Sequence, residues 1–122
     1  MAPNANALIA RGITEDPKEI AALESPEFDR ALELRLRLAQ AFNKRAGLLL
    51  KEEKSAEAAE DFGRGAEICT QNAAAEAARA AARGRADRHD LAAQDLASAG
   101  YNRDTAALTY CRRGQMFENQ GD

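Results

Sequence analysis

A chain does chemistry when it holds a nucleophile, a proton carrier or a set of metal ligands within reach of one another. This sequence offers few such residues. His89 is the only histidine, and it falls in the polar stretch Asp87–Asp90 between two helical segments. A general base needs a positioned partner, and a zinc site needs three or four ligands. His89 therefore reads as a turn or cap residue. Cys69 and Cys111 lack CxxC spacing, and both read as free, reduced thiols packed as small apolar side chains. Neither a GxGxxG nor a GxxxxGK[ST] pattern occurs, and Gly63-Arg64-Gly65 is too short to cradle a phosphate. The carboxylates lie mostly on expected outer helix faces, where solvation accounts for them. Arg79, Arg83, Arg85 and Arg88 form a local basic strip that would suit an acidic peptide or RNA. Glu76, Asp87 and Asp90 dilute it and stacking aromatics are missing, so a solvated face is the stronger reading. The expectation is a protein with no enzymatic activity, no cofactor and no metal.

The elements around these residues repeat. Arg45, Arg79 and Arg113 stand 34 residues apart, and Arg11 is in the same register. The next column is small throughout: Gly12, Ala46, Ala80 and Gly114. Ala58 returns as Ala92, Asp61 as Asp95, Phe62 as Leu96 and Gly65 as Ala99. Several columns with different chemical demands, all in one register, mark a stacked helical repeat.

These residues resemble the tetratricopeptide repeat (TPR) family, whose 34-residue unit is a pair of antiparallel helices. Ala39–Asn72 supplies Phe42, Ala46, Leu49, Ala58, Phe62 and Gly65, with Thr70 where proline is usual. Residues 73–106 keep Ala80, Ala92, Leu96 and Ala99, but Glu76 and Arg83 replace two large residues. A partial unit, 107–122, supplies Tyr110, Arg113-Gly114 and Phe117 and ends on Gly121-Asp122, the family's usual turn between helices. Phe28–Leu34 looks like the end of one more, irregular unit. The resemblance implies an all-α, right-handed solenoid of stacked antiparallel helix pairs, about six or seven helices in all. It also implies a scaffold that holds a partner's peptide or helix in a concave groove. Carried over unit by unit, the groove positions are Gln40, Asn43, Gly47, Leu50 and Lys51, then Arg85, then Cys111, Gln115, Glu118 and Asn119. The family's carboxylate-clamp subclass is disfavoured. Asn43 stands where that clamp wants lysine, Gly47 and Ala78 fill its two asparagine places, and only Arg112 supplies a basic residue.

Length and composition suit one domain of 122 residues, 45% hydrophobic and 30% charged with no tryptophan, which points to a helical protein with a thin core. A net charge of −3 gives little attraction for nucleic acid or an anionic membrane. Gly47–Leu50, the longest apolar run, cannot span a bilayer, which needs about 20 residues. The N-terminus lacks a signal-like apolar block, so a cytoplasmic setting is expected. Residues 1–25 read as an irregular helical segment, with Asp16-Pro17 and Ser25-Pro26 as helix starts. Residues 26–122 form the repeat domain. From Glu27 no glycine or proline appears until Gly47, so one long helix over about 26–52 is expected to fuse two repeat helices. Further helices are expected over about 56–69, behind a Ser55 cap, then after Asn72, over 90–100 with Gly100 as a left-handed cap, and over 104–119. Leu108 and Met116 on that last helix suggest an apolar strip. It could be covered by a second copy as a homodimer, or by further repeats of a longer array. A self-associating assembly module and a weak RNA-binding repeat using the arginine strip are the other readings.

Overall fold

The computed structural model describes residues 4–120, except for the side chains of 116–120. It is all-helical over those residues, with five helices: α1 (Ala5–Arg11), α2 (Pro17–Ala22), α3 (Pro26–Lys51), α4 (Ser55–Arg85) and α5 (His89–Gln120). The starts of the first three are written in local chemistry. Asn4 accepts from the Ala7 amide and Asp16 from the Lys18 amide, while Ser25 accepts from the Phe28 amide. Pro17 and Pro26 then occupy first-turn positions where a missing N–H costs nothing. With no interior breaker, α3 runs unbroken through Arg35–Leu38, as expected for the long helix.

The count of about six or seven helices is corrected to five, because two expected breaks are absent. Residues 70–72 lie inside α4, and Gly100 lies inside α5. The polar residues at the first site serve tertiary contacts rather than a turn. Thr70 Oγ1 donates back to the Ala66 carbonyl at 2.8 Å. Buried Asn72 donates to the Leu32 carbonyl on α3 and accepts from Arg35 Nε at 3.1 Å. Gln71 also accepts from Arg35. Ser55 is the first helical residue, behind Lys54, which makes no side-chain cap bond.

The 34-residue period therefore has a different physical content. One period is the 31-residue α4 plus the three-residue link Ala86–Arg88. The two links are copies of each other. Glu53 and Asp87 take positive φ of 61° and 58°. The Lys54 amide reaches back to the Leu49 carbonyl at 2.9 Å, as Arg88 does to Arg83 at 2.8 Å. This is the left-handed helix stop, here made with acidic residues in place of the usual glycine. Each stop reverses the chain, so α3, α4 and α5 run up, down and up, with α4 packed on both neighbours and α1 on α3 and α4.

Contacts between the helices are made mostly by small side chains. Ala39, Cys69 and Ala106 form one cluster; Ala46, Ala58 and Phe62 form another, with Leu49 and Leu50 against it. Gly65 allows the closest approach: a β-carbon there would sit 2.6 Å from Asn43 Oδ1 and 3.2 Å from the Ala39 carbonyl. A larger cluster of Ile9, Leu23, Phe28, Ala31, Leu32 and Ala75 joins the N-terminal segment to α3 and α4.

These assignments predict the sign of two substitutions. Nothing lies within 4 Å of a β-carbon added at Gly100. Gly100→Ala should therefore stabilise by about 0.5–1 kcal/mol, because glycine weakens a helix interior. Glu53→Gly should stabilise as well, since the left-handed conformation costs an L-residue about 1–2 kcal/mol. Chemical denaturation checks both. A destabilised Gly100→Ala would mean that the chain turns there.

Candidate functional site

The densest polar cluster lies where α2, α3, α4 and α5 meet. Asp95 Oδ1 accepts from Arg79 Nε at 3.1 Å and from Arg79 Nη2 at 2.9 Å, and Asp95 Oδ2 accepts from Arg83 Nη1 at 2.9 Å. Arg83 also grips Glu24 through Nε and Nη2 at 2.9 and 3.1 Å, and Arg88 meets the same carboxylate at 3.1 Å. Arg79 reaches Asp29 on α3 and stacks over the Phe28 ring, 5.3 Å from its centroid. The side chains of Arg79 and Asp95 are only 9% and 4% exposed, so each charge depends on the other for solvation. The arginine strip is thus split: Arg79 and Arg83 are buried in ion pairs rather than lying on a solvated face, while Arg88 is exposed and pairs with Glu24. Arg85 is exposed at the end of α4.

One period earlier the same device recurs in simpler form. Arg45 Nε and Nη2 grip Asp61 Oδ2 and Oδ1 at 2.6 and 2.8 Å. In both hairpins the arginine precedes the aspartate by 16 residues, which places the pair on facing helices just inside the turn. The sequence columns contain both residues, but only the antiparallel hairpin shows that they pair.

Titration behaviour follows from these contacts. Hydrogen bonding to Arg45 holds the Asp61 carboxyl below the ordinary carboxylate range, and Arg83 does the same for Glu24. Burial has the opposite effect on Glu76, raising its pKa although Asn102 Nδ2 donates to it at 2.6 Å. Burial also raises the Cys69 thiol, which keeps it protonated and inert. Cys111 is exposed, not packed as expected. His89 is exposed at the first position of α5, 3.5 Å from Asp87 in the second link. Among the described residues no three His, Cys, Asp or Glu side chains are grouped to hold a metal, and no helix is long and apolar enough to cross a membrane.

The expected groove residues are spread over three helices. Gln40 and Lys51 are exposed on α3, while Asn43, Gly47 and Leu50 are half-buried. Leu50 packs on the Ala46–Phe62 cluster, and Asn43 Oδ1 is buried against Gly65 without a hydrogen-bond partner. Cys111 and Gln115 are exposed on α5; the side chains of Glu118 and Asn119 lie outside the described residues. Arg85 is set apart from the rest. Because α4 is continuous, Arg85 stands about 45 Å along its axis from the first link, beside which Leu50 and Lys51 lie.

Of the expected core columns, Ala46, Ala58, Phe62, Ala80, Ala92 and Ala99 are buried, and Phe42 and Leu49 are half-buried. Leu96, Tyr110 and Gly114 are exposed, a correction to the expectation; the Phe117 side chain lies outside the described residues, as does that of Met116. The reason is position. Among the described residues α4 packs extensively on both α3 and α5, whereas α5 packs extensively on α4 alone, so columns covered in α4 face solvent in α5.

Two exposed apolar surfaces stand out instead: one on α3 that the sequence reading missed, and one on α5 of which it named Leu108. On α3, Leu34, Leu38 and Leu48 are about half exposed and share one flank with Ala41. A row of exposed cations, Arg30, Arg37, Lys44 and Lys51, runs beside them at intervals of seven residues, with Arg37 in an exposed ion pair with Glu33. On α5, Leu96, Tyr101, Leu108 and Tyr110 are exposed. A search for exposed apolar residues at helical spacing would have found both. No protein-family model matches the chain, and comparison with curated proteins and with solved structures found no match either.

The buried charges give two predictions. Asp95→Ala leaves Arg79 and Arg83 without their shared acceptor and should cost about 3–5 kcal/mol in a denaturant titration. Asp61→Ala should cost less, because Arg45 is largely exposed and can turn to water. Glu76 predicts a pH dependence. Its folded pKa is raised, so as pH climbs through the ordinary glutamate value of about 4.3 the unfolded chain loses its proton first and stability falls. Glu76→Gln should therefore stabilise at neutral pH and lose that advantage near pH ~3. Asp61 and Glu24 act in the opposite sense: their folded pKa values are depressed, so their stabilisation is complete above the ordinary carboxylate range and is lost on acidification below it.

Proposed function

We propose that this chain is a non-enzymatic protein–protein interaction scaffold, a short array of TPR-like periodicity built from long helical hairpins, that takes a helix of a partner protein. The exposed face of α3 carries the reading. Leu34, Ala41 and Leu48 repeat every seven residues beside Leu38, and Arg30, Arg37, Lys44 and Lys51 repeat every seven beside them. Sustained seven-residue spacing of an apolar seam and a charged flank is how one helix presents itself to another. The basic row calls for a partner helix whose apolar residues recur at three and four positions and whose flank is acidic.

On this reading the partner lies along an exposed helix face rather than in the concave groove of stacked short helices. The solenoid in the family's own form would need breaks at 70–72 and near Gly100, where α4 and α5 are continuous. RNA binding draws less support, because carboxylates take up Arg79, Arg83 and Arg88. A cytoplasmic setting remains part of the proposal and rests on the sequence alone.

A display library of helical peptides, selected on the purified chain, tests it. The expected binders are acidic amphipathic segments. Changing Leu38 and Leu48 together to Glu should abolish their binding while leaving helicity unchanged, because both side chains face solvent. A library that yields no binder, or binders indifferent to that change, would overturn the proposal.

A further inference from the structure

Buried arginines in this protein are matched to carboxylates: Arg79 and Arg83 share Asp95 and take Asp29 and Glu24 as well. Arg35 on α3 departs from that pattern. It is half-buried, yet its hydrogen bonds go to neutral side chains of α4. Nε donates to Asn72 Oδ1 at 3.1 Å and Nη2 donates to Gln71 Oε1. Asn72 is itself fixed, being buried and bonded to the Leu32 carbonyl. A guanidinium carries five N–H donors in a planar fork. The two amides take up the edge formed by Nε and Nη2, and Nη1 has no acceptor among the described residues. Nor is Nη1 sealed from solvent, since the sealed side-chain atoms without partners are Asn43 Oδ1 and Asn102 Oδ1. Burial lowers the Arg35 pKa, and exposed Glu67 on α4 counters this only by attraction at a distance.

The place of Arg35 on α3 ties this cation to the exposed leucines. In the seven-residue register of Leu34, Ala41 and Leu48, the cation row forms one flank and Phe28, Arg35, Phe42 and Leu49 form the other. Phe28 is covered by the N-terminal segment. Further along, Arg45 and Arg64 lie over the Phe42 ring, 5.4 and 5.7 Å from its centroid, and hold Asp61 and Glu60. Arg35 lies between these two stretches, beside Leu38, and holds no carboxylate. Given helix docking on α3, we propose that Arg35 anchors the partner: a helix seated on the Leu34–Leu48 seam sets one carboxylate against Nη1 and the free side of Nη2. Charge and geometry select this occupant. The exposed row steers an acidic helix but keeps its charges in water, where a pair contributes little. At Arg35 the guanidinium is already oriented by two amides and partly desolvated, so a two-pronged bond to a carboxylate is stronger and depends on position. The partner helix is thus acidic on both flanks of its apolar seam, with a single acid at the height of Arg35. A second copy of α3 does not qualify, because either of its flanks brings cations or apolar side chains to Arg35.

A double-mutant cycle on the intact chain tests this, using the acidic helical peptides selected on α3 with each acid replaced in turn by its amide. Arg35→Gln should weaken binding about tenfold or more. One acidic position alone should carry that loss: its amide variant should bind wild type and Arg35→Gln about equally. Lys44→Gln, on the exposed row, should weaken binding about fivefold at most. Arg35→Lys keeps the charge without the fork, and as the milder change to the fold it should still lose most of the same coupling. Arg35→Gln also leaves Asn72 and Gln71 without their donor, so a loss spread evenly over all peptide variants marks a structural effect and overturns the assignment. A peptide that is lost when Leu38 and Leu48 become Glu, yet binds Arg35→Gln as it binds wild type, overturns it too and leaves helix docking on α3 standing. A selection that yields no peptide overturns both.

Discussion

The Asp95 carboxylate, held by Arg79 and Arg83 between α4 and α5, is the interaction on which the arrangement of the long helices depends. Around it the packing surfaces are mostly alanine and glycine. Alanine favours the helix strongly but buries little area, so it gives closeness without much preference for one register over another. Two alanine-rich helices can slide by one turn and meet nearly the same surface again. A buried guanidinium cannot slide in this way, because moving Asp95 by one turn would take from Arg79 and Arg83 the buried carboxylate they share and leave Arg79 with Asp29 alone. The pair is poor evidence for net stability, since both groups lose their hydration, but it separates the native register from its neighbours. Arg45 and Asp61 do the same for α3 on α4 at lower cost, with the arginine in partial contact with water.

Through Arg83 the constraint extends to the N-terminal segment. Glu24 follows α2 and joins Arg83 and Arg88, while Asp29 in the first turn of α3 joins Arg79. The start of α3, the end of α4 and the start of α5 are therefore tied to one polar centre, beside the cluster that contains Phe28 and Leu23. Residues before α3 cover Phe28, Ala31 and Leu32 in its first part, while Leu34 and Leu38 beyond them stay exposed.

Much of this was legible in the sequence, but in a form that left one ambiguity. The 34-residue period, the proline-marked helix starts and the unbroken run from Pro26 can all be read directly. Whether a period holds two short helices and two turns or one long helix and one turn cannot be read from column spacing, because the same columns recur either way. Thr70-Gln71-Asn72 has the composition of a turn, and only the buried partners of Asn72 on α3 show why helix wins there. Of the true stops, Glu53 seldom takes a left-handed conformation and Asp87 does so less readily than glycine, whereas Gly100, which adopts it freely, is not used for one. Arg45, Arg79, Asp61 and Asp95 were visible as columns. Their pairing needed the hairpin. The exposure of Leu96 and Tyr110 needed the knowledge that α5 packs extensively on α4 alone among the described residues.

The two outer helices expose different chemistry, and the difference governs what each can hold. Leucines standing out from α3 keep a partner's backbone at a distance and ask for a helix with room between its own side chains. The row of small residues on α5 lets backbones approach closely, which suits a face equally small or a helix with large knobs to insert. Such surfaces discriminate by shape before charge is considered. The charges sharpen this: the α3 flank carries four cations at seven-residue intervals, one of them met by Glu33, whereas the α5 row of Ala93, Ala97, Gly100, Ala107 and Gly114 has Arg103 and Asp104 side by side at its middle and so favours neither sign.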